Sequence, residues 1–261
     1  ALQTPLSRAR PVYTRVTVFG LLTVAVGLLV LLAASGYTGL PLLPFIVVPL
    51  VVAALAWRFG TWAKILAAVI GLVLLVLGVQ LGFLLPAFAH PDVFFEFMPA
   101  IAYLTGAAMA AAGGVTASWK RRDLRPDAAR GERWVLTVTL AALILLGIVS
   151  AVASLASRTT VDMTNRAGAI AVTQRDLAFA PANYEVTARE NANFVVHNSD
   201  PVFHTFTVPE LGIDADVKPG SDVVVELDAP DPGVYTIICK PHASRLGDGT
   251  YEGMTATLTV R

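Results

Sequence analysis

The chain has 261 residues, 55% of them hydrophobic and only 15% charged, with a mean hydropathy of +0.65. Soluble domains average about 25% charged residues, which argues against a purely soluble enzyme. Ordinary amounts of Gly and Pro exclude collagen-like or low-complexity chains, and one cysteine excludes an internal disulfide, an all-cysteine zinc site or a thiolate-held cluster.

The zero net charge hides two unlike halves. Residues 1–157 carry 11 Lys and Arg against 5 Asp and Glu, whereas residues 158–261 carry 8 against 14. No charge falls between Arg15 and Arg58, Lys64 and Asp92, Glu96 and Lys120, or Arg133 and Arg158. A helix needs about 20 apolar residues to cross the hydrocarbon core. The first interval is too long for one span, and Ser35-Gly36-Tyr37-Thr38-Gly39 with Pro41 breaks it. Five spans are therefore predicted over residues 16–34, 41–57, 63–85, 95–118 and 134–156. The first is longer than the apolar region of a signal peptide, and four more follow it.

Basic residues set the expected orientation. Arg8, Arg10 and Arg15 precede the first span, and Arg58 and Lys64 flank the turn between the second and third. Lys120, Arg121, Arg122, Arg125, Arg130 and Arg133 crowd the loop before the fifth, while the other two loops hold only Asp92 and Glu96. The positive-inside rule then puts the N-terminus in the cytoplasm and everything after the fifth span outside the plasma membrane. Trp57, Trp62, Trp119 and Trp134 fall at the same inner boundary, as an aromatic belt would place them.

The membrane half reads as scaffold. Haem needs axial ligands at depth, and an ion pathway needs ionisable groups inside the spans. Its one histidine, His90, lies in an outer loop, Glu96 sits at an outer end, and Gln80 is a lone amide. Met98 and Met109 are too few for a thioether pathway. Gly106, Ala107, Ala110, Ala111, Gly113 and Gly114 form a small face suited to close helix packing, within this bundle or against another subunit.

After a polar linker over residues 158–167, an outer domain is predicted over residues 168–261. Strand-like runs at 183–188, 193–197, 203–208, 222–227, 233–238 and 254–260 alternate with Pro, Gly, Asn and Asp breakers, the pattern of a sandwich or barrel. The single thiol stands in Cys239-Lys240-Pro241-His242 at a strand end. Met254 opens the last strand, and His204 lies about 35 residues before the cysteine, in Phe203-His204-Thr205-Phe206-Thr207-Val208. Two imidazoles, one thiolate and a weak thioether form the set that selects copper for electron transfer and suits zinc poorly. His197, one strand earlier, reads as a partly exposed strand histidine.

These stretches resemble the cupredoxins, the small blue-copper Greek-key sandwiches. Asn198-Ser199-Asp200, His204 to Val208, Val217-Lys218-Pro219-Gly220, Gly233-Val234-Tyr235-Thr236, Cys239 to His242 and Gly253-Met254 carry the resemblance. It implies one type 1 copper with His204, Cys239 and His242 as equatorial ligands and Met254 as the axial one. The chain departs from short-loop cupredoxins in the eleven residues between His242 and Met254, where about four are usual. That extra loop would rise beside His242, the usual electron exit of the family.

The expectation is a five-helix membrane bundle followed by a Greek-key cupredoxin sandwich. It would serve as a blue-copper electron carrier on the extracytoplasmic face, within or beside a respiratory or photosynthetic complex, with no catalysis of its own. Lipid bilayer, other subunits of a redox complex and a redox partner protein are the expected partners; nucleic acid is not. Copper acquisition or delivery to a cuproenzyme is the alternative, and a purely structural subunit a third.

Overall fold

Long apolar runs without charge leave the backbone no polar partner but itself, so within a bilayer they close into helices. The structure, a computed structural model, describes residues 13–35, 42–80, 84–119, 126–162 and 168–261. The described residues divide into two compact units, one largely of helices and one largely of strands. The helices are α1 (Thr14–Ser35), α2 (Leu43–Arg58), α3 (Thr61–Gln80), α4 (Leu84–Ala89), α5 (Phe94–Trp119) and α6 (Pro126–Ala156). Four are long and apolar enough to cross a membrane: α1, α3, α5 and α6.

Two of the expected spans take a different form. The span expected at 41–57 is the 16-residue α2, about 24 Å long at 1.5 Å per residue. The span expected at 63–85 stops at Gln80, and Leu84 and Leu85 belong to the separate short α4. The basic residues Arg8, Arg10, Lys120, Arg121, Arg122 and Arg125, the breaker at residues 36–41 and linker residues 163–167 lie outside the described residues.

The small face of α5 serves this bundle. A Cβ added to Gly106 would lie 2.5 Å from the Gly20 carbonyl of α1, and one on Gly114 would lie 2.6 Å from the Lys64 carbonyl of α3. Neighbouring backbones thus press against α5 where a side chain would hold them apart. Tyr103 adds a buried hydrogen bond from its hydroxyl to the Leu74 carbonyl at 2.7 Å. Helices α2 and α3 are joined by only Phe59 and Gly60, which makes them antiparallel neighbours. Lys64 turns back to donate to the Phe59 and Gly60 carbonyls at 3.3 and 3.5 Å, closing the end of α2.

The second unit is a two-sheet sandwich. Its strands are β1 (Ile170–Arg175), β2 (Ala178–Ala180), β3 (Asn183–Val186), β4 (Ala192–Asn198), β5 (His204–Val208), β6 (Ile213–Val217), β7 (Asp222–Leu227), β8 (Gly233–Arg245) and β9 (Tyr251–Val260). One sheet runs β2-β1-β4-β7 and the other β3-β9-β8-β5-β6. Strands β1, β2 and β6 are absent from the six runs predicted above. β6 alternates Ile213, Ala215 and Val217 with Asp214 and Asp216, and those two aspartates, poor strand formers, hide it. Between the sheets, Phe206 meets Phe179 edge-on at 6.1 Å and Phe194 at 5.5 Å. Both Phe194 and Phe206 are fully buried.

The first residues of the linker are held along the start of β7. The Thr159 N–H donates to Ser221 Oγ at 3.2 Å, the Asp222 N–H to the Thr159 carbonyl at 2.7 Å, and the Val161 N–H to Asp222 Oδ2 at 2.8 Å.

Candidate metal centre

Strand β5 carries His204 inward, where it is completely buried. The loop before it is set by Asn198, also fully buried. The Asn198 amide donates to the Val202 and Val217 carbonyls at 2.9 Å, and its oxygen accepts the Asp200 N–H at 2.9 Å. Asparagine and aspartate favour such local bonds over a continuing strand, which is why β4 ends here.

Strands β8 and β9 are paired up to Ile238 opposite Thr255 and resume at Ala243 opposite Gly253. Residues 239–242 are lifted out between the two paired stretches, and Pro241 among them has no N–H to give to a ladder. Met254 precedes Thr255 on β9, and it and Cys239 are buried in the same core cluster. The eleven residues after His242 are accommodated as a β-hairpin extension. Ser244 pairs with Glu252 and Arg245 with Tyr251, and Leu246 to Thr250 closes the turn.

The lifted segment brings Cys239 and His242 against His204. The two Nδ1 atoms are 3.0 Å apart, and Cys239 Sγ lies 3.5 Å from His204 Nδ1 and 3.3 Å from His242 Nδ1. Among the described residues this is the one group of His, Cys, Asp and Glu side chains clustered so as to hold a metal ion. A circle through three atoms so spaced has a radius of about 1.9 Å, close to metal–imidazole and metal–thiolate bond lengths of roughly 2.0 to 2.3 Å. The donors therefore already surround a point at bonding distance from all three. Two imidazoles and a thiolate, with no carboxylate among the converging atoms, are suited to a type 1 copper site.

The electrostatics disfavour protonation of both rings, and the neutral ring is the form that can donate to a metal. Burial lowers the His204 pKa, partly offset by the Asp200 carboxylate at 2.8 Å. Burial and the neighbouring His204 bring His242 down to about 4. Burial works to raise Asp200, but hydrogen bonds from the Leu177 N–H, the His204 ring and the Asp176 N–H hold it below the usual carboxylate range.

A second network fixes the sulfur end. The Thr205 N–H points at Cys239 Sγ at 3.4 Å, and the Lys240 N–H donates to Thr205 Oγ1 at 2.9 Å. Thr207 Oγ1 bridges Thr205 Oγ1 and Asp214 at 3.0 and 2.8 Å, and Asp214 also pairs with the Lys240 ammonium.

The structure thus assembles His204, Cys239 and His242 and buries Met254 on the adjoining strand. His197 lies apart, half-exposed on β4, with its Nδ1 2.7 Å from Asp222 Oδ1. His90 and Glu96 belong to the helical unit, at the turn into α5. The sequence reading missed the roles of Asp200 and Thr205. Asp200, four residues before the candidate ligand His204, was the available signal.

Comparison with known proteins matches one stretch of the chain to a domain family. The model of a cupredoxin-like domain matches residues 139–250, so the match begins within α6 and ends before Met254. No curated protein matches the chain. Among solved structures, auracyanin from the photosynthetic bacterium Roseiflexus castenholzii is similar at 15% identity, with 36% of this chain and 98% of that chain covered and a TM-score of 0.29. Amicyanin is similar at 19% identity over 36% of this chain and 84% of that chain, TM-score 0.27. The periplasmic domain of cytochrome oxidase subunit II of Bradyrhizobium japonicum is similar at 18% identity over 36% and 84%, TM-score 0.29.

Proposed function

We propose that this chain, which has several apolar helices and matches a cupredoxin-like domain over residues 139–250, is a membrane-anchored blue-copper protein that passes single electrons. The observation that carries this reading is the convergence of His204 Nδ1, Cys239 Sγ and His242 Nδ1. These three atoms would hold the copper, with the Met254 sulfur as a weaker fourth donor. The metal would supply one-electron chemistry by alternating between Cu(I) and Cu(II).

The chain's own residues do the rest. The Thr205 N–H takes electron density from the Cys239 sulfur, a contact of the kind that tunes the potential of blue-copper sites. Burial of His204 excludes water from one side of the site, while His242 is partly exposed and forms the electron exit. A four-donor site leaves no open position for substrate, so the chain acts as a carrier and not as an enzyme.

All five expected spans cross the membrane in this reading, which places the copper domain outside and the N-terminus in the cytoplasm. The antiparallel pairing of α2 with α3 supports a crossing by the shorter helix. Five helices exceed what a tether needs, which favours assembly into a larger respiratory or photosynthetic complex.

The test uses the full chain in mild detergent. Copper-loaded protein is expected to show intense thiolate-to-copper absorption in the visible range, and Cys239→Ser to abolish it along with electron transfer. Absence of that band in the loaded wild type would sink the proposal.

A further inference from the structure

Asp200 is nearly buried, and a carboxylate out of water must be fully hydrogen-bonded to be tolerated. Three donors meet it. His204 Nε2 lies 2.8 Å from Oδ2, the Asp176 N–H is 2.8 Å from Oδ1, and the Leu177 N–H is 3.1 Å from Oδ2. Asp176 and Leu177 form the β1–β2 turn, and both hold positive φ, +54° and +57°. Consecutive positive φ values belong to a turn that favours Asn-Gly, and leucine is a poor occupant. The same carboxylate therefore braces an unfavourable turn of one sheet and grips a ring at the start of β5 in the other.

That grip falls on one particular nitrogen. A neutral imidazole carries a single ring proton, and the bond made by one nitrogen decides what the other can do. Aspartate can only accept, so Nε2 carries the proton and Nδ1 is left with a lone pair. Nδ1 is the atom that faces Cys239 and His242. We propose that Asp200 is a positioning residue: it commits His204 to the tautomer that presents Nδ1 to the metal, and couples that ring to the β1–β2 turn. The metal half of this inference rests on the copper reading; the tautomer half does not.

The bland alternative is that Asp200 only braces the turn. Three full-length proteins in detergent separate the two: wild type, Asp200→Ala, and Asp200→Ala combined with Asp176→Gly and Leu177→Gly. Glycine adopts positive φ freely, so the combined variant relieves the turn without restoring the carboxylate. With four histidines in the chain, selective 15N labelling resolves the His204 ring in metal-free protein. The wild type is expected to show the Nε2–H form, and Asp200→Ala to lose its dominance. Copper affinity by chelator competition is expected to fall about 10- to 100-fold, as for other lost partners of ligand histidines. The glycine pair is expected to recover thermal stability of the outer domain but not copper affinity.

Recovery of both, or a His204 signal unchanged by Asp200→Ala, would overturn the proposal. A wild type that binds no copper but shows the Asp200-dependent Nε2–H signal refutes the copper reading and upholds the tautomer assignment.

Discussion

Replacing Gly253 with alanine adds one carbon at a tight point behind the candidate donors. That Cβ would lie 2.3 Å from the His242 carbonyl oxygen and 3.3 Å from Ala243 Cα. A relaxed carbon–oxygen contact is about 3.3 Å, so the His242 carbonyl must retreat by roughly 1 Å. The backbone is also at φ +104°, where a side chain is strained whatever the space. Such strain costs of order 1–3 kcal/mol. Metal sites tolerate errors of about 0.2 Å in ligand position, several times less than the displacement required. Two comparison variants separate the causes. Gly247 has nothing within 4 Å of an added Cβ and no positive φ, so Gly247→Ala is expected to be silent. Gly249 sits at φ +90° with its nearest contact 3.9 Å away, so Gly249→Ala carries strain without a clash. The assay is copper titration of the full chain, read by visible absorption, together with hydrogen exchange across β8 and β9. Gly249→Ala is expected to loosen the hairpin turn and leave the spectrum alone. Gly253→Ala is expected to loosen the hairpin and alter or abolish the spectrum. If Gly253→Ala binds copper with the wild-type spectrum and affinity, the packing argument is wrong.

Phe206→Ala removes a fully buried ring and its two aromatic contacts; a loss of about 3–5 kcal/mol is expected. Calorimetry of the outer domain's transition measures it, at about 4–8 °C per kcal/mol for a domain of this size. His197→Ala is expected to leave the visible spectrum unchanged, because its ring faces Asp222 and not the donors. Gly106→Val would force α5 away from Gly20, and heating in detergent followed by size exclusion is expected to show earlier loss of the monodisperse protein. The Lys240–Asp214 pair is half-exposed, so a double-mutant cycle is expected to give under about 1 kcal/mol of coupling.

The candidate site was readable because three of its four side chains lie on one hairpin. Cys239, His242 and Met254 fall within sixteen positions, and their residue types alone narrow the metal. His204 was recognisable from its β-rich surroundings. What escaped was set by tertiary structure. The parallel pairings β1–β4 and β3–β9 join strands distant in sequence, and no local pattern specifies them. Asp200 reads as a turn residue until the loop folds its carboxylate onto His204. The segment after His242 reads as an inserted loop, although Asp248-Gly249 is a turn signal and Leu246 to Thr250 closes a hairpin. In the helical half, composition revealed the small face of α5, but only packing against Gly20 and Gly71 shows which neighbours use it.

The link from Cys239 to His242 is riveted at both ends by main-chain pairing, Ile238 with Thr255 on one side and Ala243 with Gly253 on the other. Its outline is therefore owed to the sheet and not to whatever ion occupies it. For a copper carrier, a docking protein would meet the same contour before and after the electron leaves. Telling the two valence states apart would then fall to a single unit of charge, felt through the rim of one imidazole.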